Sequence, residues 1–227
     1  MSYFLYVCFM IVFFVMTINY CKKSINVESF LEFIHIPKNA GTTIENVANE
    51  SNVKWGRFRP EHRENTTNTK CAYWHTPPKY FGVNSLYKKD ETFCVIRDPF
   101  ERMVSEYKYR NTDKETHTKA KMNKWIQDHL QPMYYNDGEK NCHFVPQHEY
   151  IYDNFGNKTC THILRFDNLT TDFNDMTKKH NIDVKLTDSR RDNATPDSLT
   201  VEDLDKNTKE AIRSIYSKDF DLLDSIR

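Results

Sequence analysis

Two short apolar runs, each cut off by a proline-containing turn that opens into a helical pattern, constrain this chain more than any other feature. The first, Phe30-Leu31-Glu32-Phe33-Ile34-His35-Ile36, stops at Pro37 and passes through Gly41-Thr42-Thr43 into a segment whose Ile44, Val47 and Ala48 share one face. The second, Thr92-Phe93-Cys94-Val95-Ile96, is followed by Asp98-Pro99, a helix-start signal, and by helical spacing to about Tyr109. Neither run alternates cleanly between apolar and polar positions, so both faces of each strand must be covered. A further strand is read at 71–75, ended by Thr76-Pro77-Pro78, and another at 161–166, followed by a helix from Leu169 to about His180. Helices are also expected at 122–130 and from Ser198 onward, where Leu204, Ile212, Ile215 and Tyr216 recur at helical spacing. Strands alternating with helices predict a three-layer α/β/α fold around a central, mainly parallel sheet, and 227 residues suit a single domain.

Residues 3–18 stand apart as an uninterrupted apolar and aromatic run, closed by Lys22-Lys23. The run is short for a membrane span and long for a signal-peptide core. No lysine or arginine precedes it and no Ala-x-Ala site follows, which favours an uncleaved membrane anchor over a cleaved signal peptide. The expected organisation is a hydrophobic signal-anchor or signal peptide at 1–20, a short connector at 21–29, and one folded domain at 30–227. Lys22-Lys23 would keep the following chain cytosolic by the positive-inside rule. The opposite, lumenal placement is favoured by Asn-x-Ser/Thr sequons at Asn49, Asn65, Asn157, Asn168 and Asn193 and by the cysteines. Cys142 and Cys160 bracket a loop containing Gly156 and predict a disulfide; Cys94 reads as a buried thiol, and Cys21 and Cys71 stay unassigned.

Charge narrows the ligand. Lysine plus arginine and aspartate plus glutamate both number 32, so the formal net charge is zero. That balance excludes a general nucleic-acid binder and requires any anion to be held by local groups. Pro37-Lys38-Asn39-Ala40-Gly41-Thr42-Thr43 supplies such groups at a strand-to-helix junction: free helix-start N–H groups, a close-approach glycine, two hydroxyls and one ammonium. Its lysine precedes the glycine, unlike the Walker pattern, which disfavours kinase or ATPase chemistry. At the second junction Arg97 leaves the strand and Ser105 lies two turns into the helix, a fork and a hydroxyl suited to another phosphate. Two such junctions in sequence fit one ligand with phosphate-like groups at both ends.

Pro37-Lys38-x-x-Gly41-Thr42-Thr43 resembles the 5′-phosphosulfate loop of the sulfotransferases that use 3′-phosphoadenosine 5′-phosphosulfate (PAPS). Arg97-Asp98-Pro99-x-x-Arg102-x-x-Ser105-x-Tyr107 is similar to their 3′-phosphate motif, and the overall pattern is most similar to the Golgi membrane carbohydrate sulfotransferases of heparan and chondroitin type. The resemblance implies a P-loop-like fold and PAPS as co-substrate, with no metal. It further implies a glycan or other hydroxyl-bearing acceptor, and a single-pass membrane protein of the Golgi or secretory pathway. It implies donor binding by Lys38, Asn39, Ala40, Gly41, Thr42, Thr43, Arg97 and Ser105, with Lys38 also catalytic at the leaving phosphate. Cytosolic members carry an Arg-Lys-Gly block near the C-terminus; this chain offers only Arg190-Arg191.

His75 is the expected base, because its strand end should open on the same cleft and an imidazole titrates near neutrality. Glu61, His62, His143 and His148 are rivals. Tyr134, Tyr135, Phe144, Gln147, His148 and Tyr150 form a stretch that would face an acceptor sugar or else pack as core. No Cys/His set has zinc-finger spacing. An ATP-dependent phosphotransferase and an inactive, membrane-tethered glycan-binding relative are the competing readings.

Overall fold

Three strands, Leu31–Ile34 (β1), Glu91–Ile96 (β2) and His162–Arg165 (β3), pair in parallel in the order β1-β2-β3. Phe33 lies opposite Phe93, and Cys94 opposite Ile163. The computed structural model describes residues 31–59, 71–84, 87, 91–113, 115, 117–135, 139–190, 192 and 199–226. The predicted anchor and connector, Glu61, His62, Arg191 and the sequons at Asn65 and Asn193 lie outside them.

The period-two alternation of a strand explains the two-sided apolar runs. Phe33, Phe93 and Val95 point to one face, where Ile44, Val47, Trp55, Phe173 and Met176 cover them. Ile34, Cys94 and Ile96 point to the other, against Val145, Tyr150, Ile151 and Leu222. Full burial of each large side chain contributes roughly 1.5–3 kcal/mol. The covering helices are Gly41–Glu50 (α1), Pro99–Arg110 (α2), Lys119–Tyr135 (α3), His148–Ile151 (α4), Leu169–Lys179 (α5), Lys206–Ile215 (α6) and Ser217–Ser225 (α7). A third cluster, with Met103, Tyr107, Ile126, Phe144 and Ile212, joins α2, α3 and α6. The result is the expected single α/β domain with a parallel sheet flanked by helices. Among the described residues no helix is long and apolar enough to cross a membrane.

Two expectations are corrected. The segment at 71–75 is no strand: Tyr73–His75 forms a single 3₁₀ turn. Aromatic side chains gave it strand character, but the Thr76 hydroxyl donates back to the Ala72 carbonyl at 3.1 Å and the turn closes before a ladder can start. The disulfide pairing also differs. Cys71 bonds Cys142 and Cys94 bonds Cys160, with Cα separations of 5.5 and 6.3 Å. The loop thought to need a Cys142–Cys160 closure is closed by other means: Tyr152 pairs with Lys158, and the Asp153 carboxylate accepts from the Phe155 and Asn157 amides. Cys94, read as a free buried thiol, is fully buried and bonded.

Candidate active site

β1 delivers the chain into a turn that few residues tolerate. Lys38 and Ala40 have φ of 70° and 65°, left-handed values that cost non-glycine residues of order 1–3 kcal/mol and that cluster at functional sites. Ala40 is the residue before α1 and supplies no side-chain cap, so the helix-start amides remain for a ligand. Gly41 is required by sterics: a Cβ there would lie 2.0 Å from His35 Nε2. The His35 ring is held against this turn by a 2.8 Å hydrogen bond between Nδ1 and Glu45 Oε1. The Thr43 hydroxyl accepts from the Asp192 amide at 3.1 Å and keeps its own proton to donate elsewhere.

β2 delivers Arg97 alongside. Asp98 caps α2 by accepting from the Phe100 and Glu101 amides, and Pro99 needs no such partner. The Arg97 guanidinium reaches the Lys38 carbonyl at 3.3 Å, pairs with Glu101 at 3.0 Å, and stacks on Phe166 at 3.9 Å. Ser105 is half-buried one helical repeat beyond Glu101, on the same stripe of α2. Two buried amides lock the junctions together. Asn39 Nδ2 donates to the Val95 carbonyl (2.7 Å) and to Gln147 Oε1 (2.6 Å); Gln147 in turn accepts from the Arg97 amide and donates to the Arg97 carbonyl. Arg102, 1% exposed, donates to the Pro37 and His143 carbonyls.

The Lys38 ammonium lies 4.1 Å above the Tyr109 ring. Burial, reinforced by Arg97, Arg110 and Arg102 and opposed by Glu106, lowers its pKa to about 8. Tyr109 stacks on His143 (5.4 Å), whose Nδ1 meets Glu106 Oε2 at 2.7 Å. His75 sits edge-on between His143 (5.1 Å) and His35 (4.6 Å). Burial first, then those two imidazoles, push its pKa far down and keep the ring neutral. Its Nδ1 is buried, and Asn141 approaches the ring as a hydrogen-bond partner through both side chain and backbone.

A family model described as "Sulfotransferase family" matches residues 25–224. The chain belongs to the sulfotransferase family. Its members form an enzyme family that transfers a sulfuryl group from PAPS to a hydroxyl-bearing acceptor. Neither a curated protein nor a solved structure matches the chain. The two disulfides suit a sulfotransferase domain of the secretory pathway.

For this sulfotransferase the two junctions predicted to hold the donor adjoin at one end of the sheet, where Arg97 contacts Lys38, and Ser105 lies further along α2. His75 reaches the same neighbourhood from a 3₁₀ turn instead of a strand. Of the rival bases, His143 is engaged by Glu106, and His148 is held by Asp219 (2.9 Å) and Glu149 (3.1 Å). Against the pull of burial, those carboxylates raise the His148 pKa to about 9. The supposed acceptor stretch is partly core: Phe144, Gln147 and Tyr150 are buried, and the side chains of Tyr134 and Tyr135 lie outside the described residues. An open groove beside α7, lined by Lys79, His148, Glu149, Tyr152, Lys218 and Asp221, includes no predicted donor residue. Arg190 forks onto Glu50 at 2.7 and 2.8 Å, so its guanidinium already has a carboxylate partner. Sequence reasoning missed His35, Glu106 and Tyr109. Only Arg102 had a signal, as the second arginine of the Arg97 motif.

Proposed function

We propose that this sulfotransferase moves the sulfuryl group of PAPS onto a hydroxyl of a carbohydrate, with Lys38 at the leaving phosphate and His75 as base. The observation that carries the reading is the 3.3 Å contact between the Arg97 guanidinium and the Lys38 carbonyl, which sets the two junctions side by side and supports one donor spanning both. Gly41, Thr42 and Thr43 with the α1 amides hold the 5′-phosphate, and Arg97 with Ser105 holds the 3′-phosphate. Lys38, Asn39 and Ala40 form the turn between them. The acceptor oxygen forms its bond to sulfur as the bond from sulfur to the bridging phosphate oxygen breaks. Lys38, still mainly protonated at pH 7, neutralises the charge gathering on that phosphate. His75, held neutral by burial, takes the acceptor proton as the new bond to sulfur forms. A carbohydrate acceptor agrees with a disulfide-bonded domain of the secretory pathway, where glycans are elaborated, and a Golgi membrane location follows from the same reading.

The test is calorimetric titration of the full chain with PAPS, with its desulfated product PAP and with ATP–magnesium, followed by transfer assays using labelled donor on a glycan series. PAP should bind tightly and ATP–magnesium weakly; the reverse order would replace this reading with phosphoryl transfer. His75→Ala should lower turnover by about 100-fold or more while the PAP affinity stays within a few-fold. Near-normal turnover in that variant removes His75 from the mechanism.

A further inference from the structure

We propose that Glu91, His162 and His180 form a zinc-binding site at the end of the sheet opposite the sulfuryl-transfer cleft. Glu91 opens β2 and His162 opens β3. Because Phe93 lies opposite His162, Glu91 falls on the same sheet face as its diagonal neighbour. His180 caps the C-terminus of α5, the helix that follows β3.

The three ligand atoms converge. Glu91 Oε2 is 2.9 Å from His162 Nε2 and 3.3 Å from His180 Nε2, and the two nitrogens are 3.2 Å apart. Three ligands placed tetrahedrally around zinc at bonds of about 2.0–2.1 Å stand about 3.3 Å from one another. Hydrogen bonds serve this triangle incompletely unless both Nε2 atoms are protonated and share the one carboxylate oxygen. With one Nε2 protonated, its single hydrogen points to the carboxylate or to the other ring, and one edge is left with lone pair against lone pair. With both protonated and donating to Glu91, the two N–H groups crowd side by side with their nitrogens only 3.2 Å apart. A cation accepts all three lone pairs at once. Two imidazoles and one carboxylate select zinc or a neighbouring transition metal over magnesium or calcium. The histidines are 21% and 17% exposed and Glu91 is 53% exposed, which leaves an entry path and a fourth position for water.

Sequence spacing hides this site, since 71 residues separate Glu91 from His162. The ligands join the first residues of β2 and β3 to the last turn of α5. Lys38 and Arg97 follow the opposite ends of β1 and β2, so the ion braces the fold and takes no part in transfer.

The experiment titrates zinc ion into chelator-treated full-length chain, by calorimetry and by thermal melting. One equivalent should bind, and zinc at about 100 times its dissociation constant should raise the melting temperature by about 5 °C or more. His162→Gln and His180→Gln should each weaken binding by on the order of 100-fold and Glu91→Gln by less, with metal-free melting temperatures near that of the parent chain. Cobalt substitution of the parent chain should give the intense visible bands of a tetrahedral site, and X-ray absorption should count two imidazoles, which keeps the test decisive where a variant fails to fold. Absence of stoichiometric binding, or undiminished binding in the doubly substituted His162→Gln/His180→Gln chain, overturns the proposal.

Discussion

Lys38 combines a left-handed backbone with an ammonium whose pKa is lowered to about 8 from 10.5. The direction matters. Burial favours the neutral amine, so the positive charge is largely present at pH 7 and is lost as pH rises through about 8. PAP affinity of the full chain, measured by titration between about pH 6.5 and 9.5, should therefore fall by about tenfold across the alkaline half of that range. Lys38→Arg, whose guanidinium stays charged, should bind more weakly at pH 7 yet lose little further affinity above it. A flat profile in the parent chain would show that the ammonium does not meet the nucleotide. Lys38 and Arg97 were legible in the sequence because each stands at a strand end beside a helix start. His35, Glu106 and Tyr109 were not, because what they do depends on burial and ring contact, which no local pattern records.

At the scale of elements, the two strand-to-helix junctions are held in register by side-chain amides. Gln147 bonds both polar atoms of Arg97's backbone and shares Asn39 with the Val95 carbonyl, all within a site that is 1% exposed at Gln147. Gln147→Ala removes the hydrogen bonds that Gln147 makes to the Arg97 N–H, the Arg97 carbonyl and the Asn39 amide. The expected cost is about 2–4 kcal/mol of stability, read from urea unfolding, because unmet buried polar groups carry their full desolvation penalty. PAP binding should weaken by about tenfold or more as the junctions separate. A variant of parental affinity would show that the ladder alone fixes the cleft. The strands at 30–36, 92–96 and 161–166 were readable because burial on two faces leaves few alternatives to a covered parallel strand. The segment 71–75 misled, since aromatic content raises strand propensity but supplies no neighbouring ladder. For Gln147 the sequence left a sugar-facing and a core reading open, since an amide among aromatics suits both, and the packing decides for core.

For the molecule as a whole, the disulfides divide the labour that sequence spacing could not assign. Pairing depends on which loops the sheet order brings together, and the parallel register sets Cys160 beside β2 while the 3₁₀ segment reaches Cys142. Cys94–Cys160 is a core link between β2 and the entry to β3, both sulfurs fully buried. Cys71–Cys142 fastens the segment bearing His75 to the residue beside His143, and the Tyr150 hydroxyl reinforces the same contact by donating to the His75 and Cys142 carbonyls. The two bonds should therefore fail differently. Cys94→Ala/Cys160→Ala should cost about 2–4 kcal/mol of stability while kcat per folded molecule stays near parental. Cys71→Ser/Cys142→Ser should lose a comparable amount of stability and, in addition, lower kcat by about tenfold or more with little change in PAP affinity, because the freed His75 segment no longer holds its ring between His35 and His143. Denaturant midpoints, transfer rates and PAP titrations on the two double variants separate these outcomes. Equal kcat losses in both would mean that the links act only through global stability and that His75 is positioned by its ring neighbours alone.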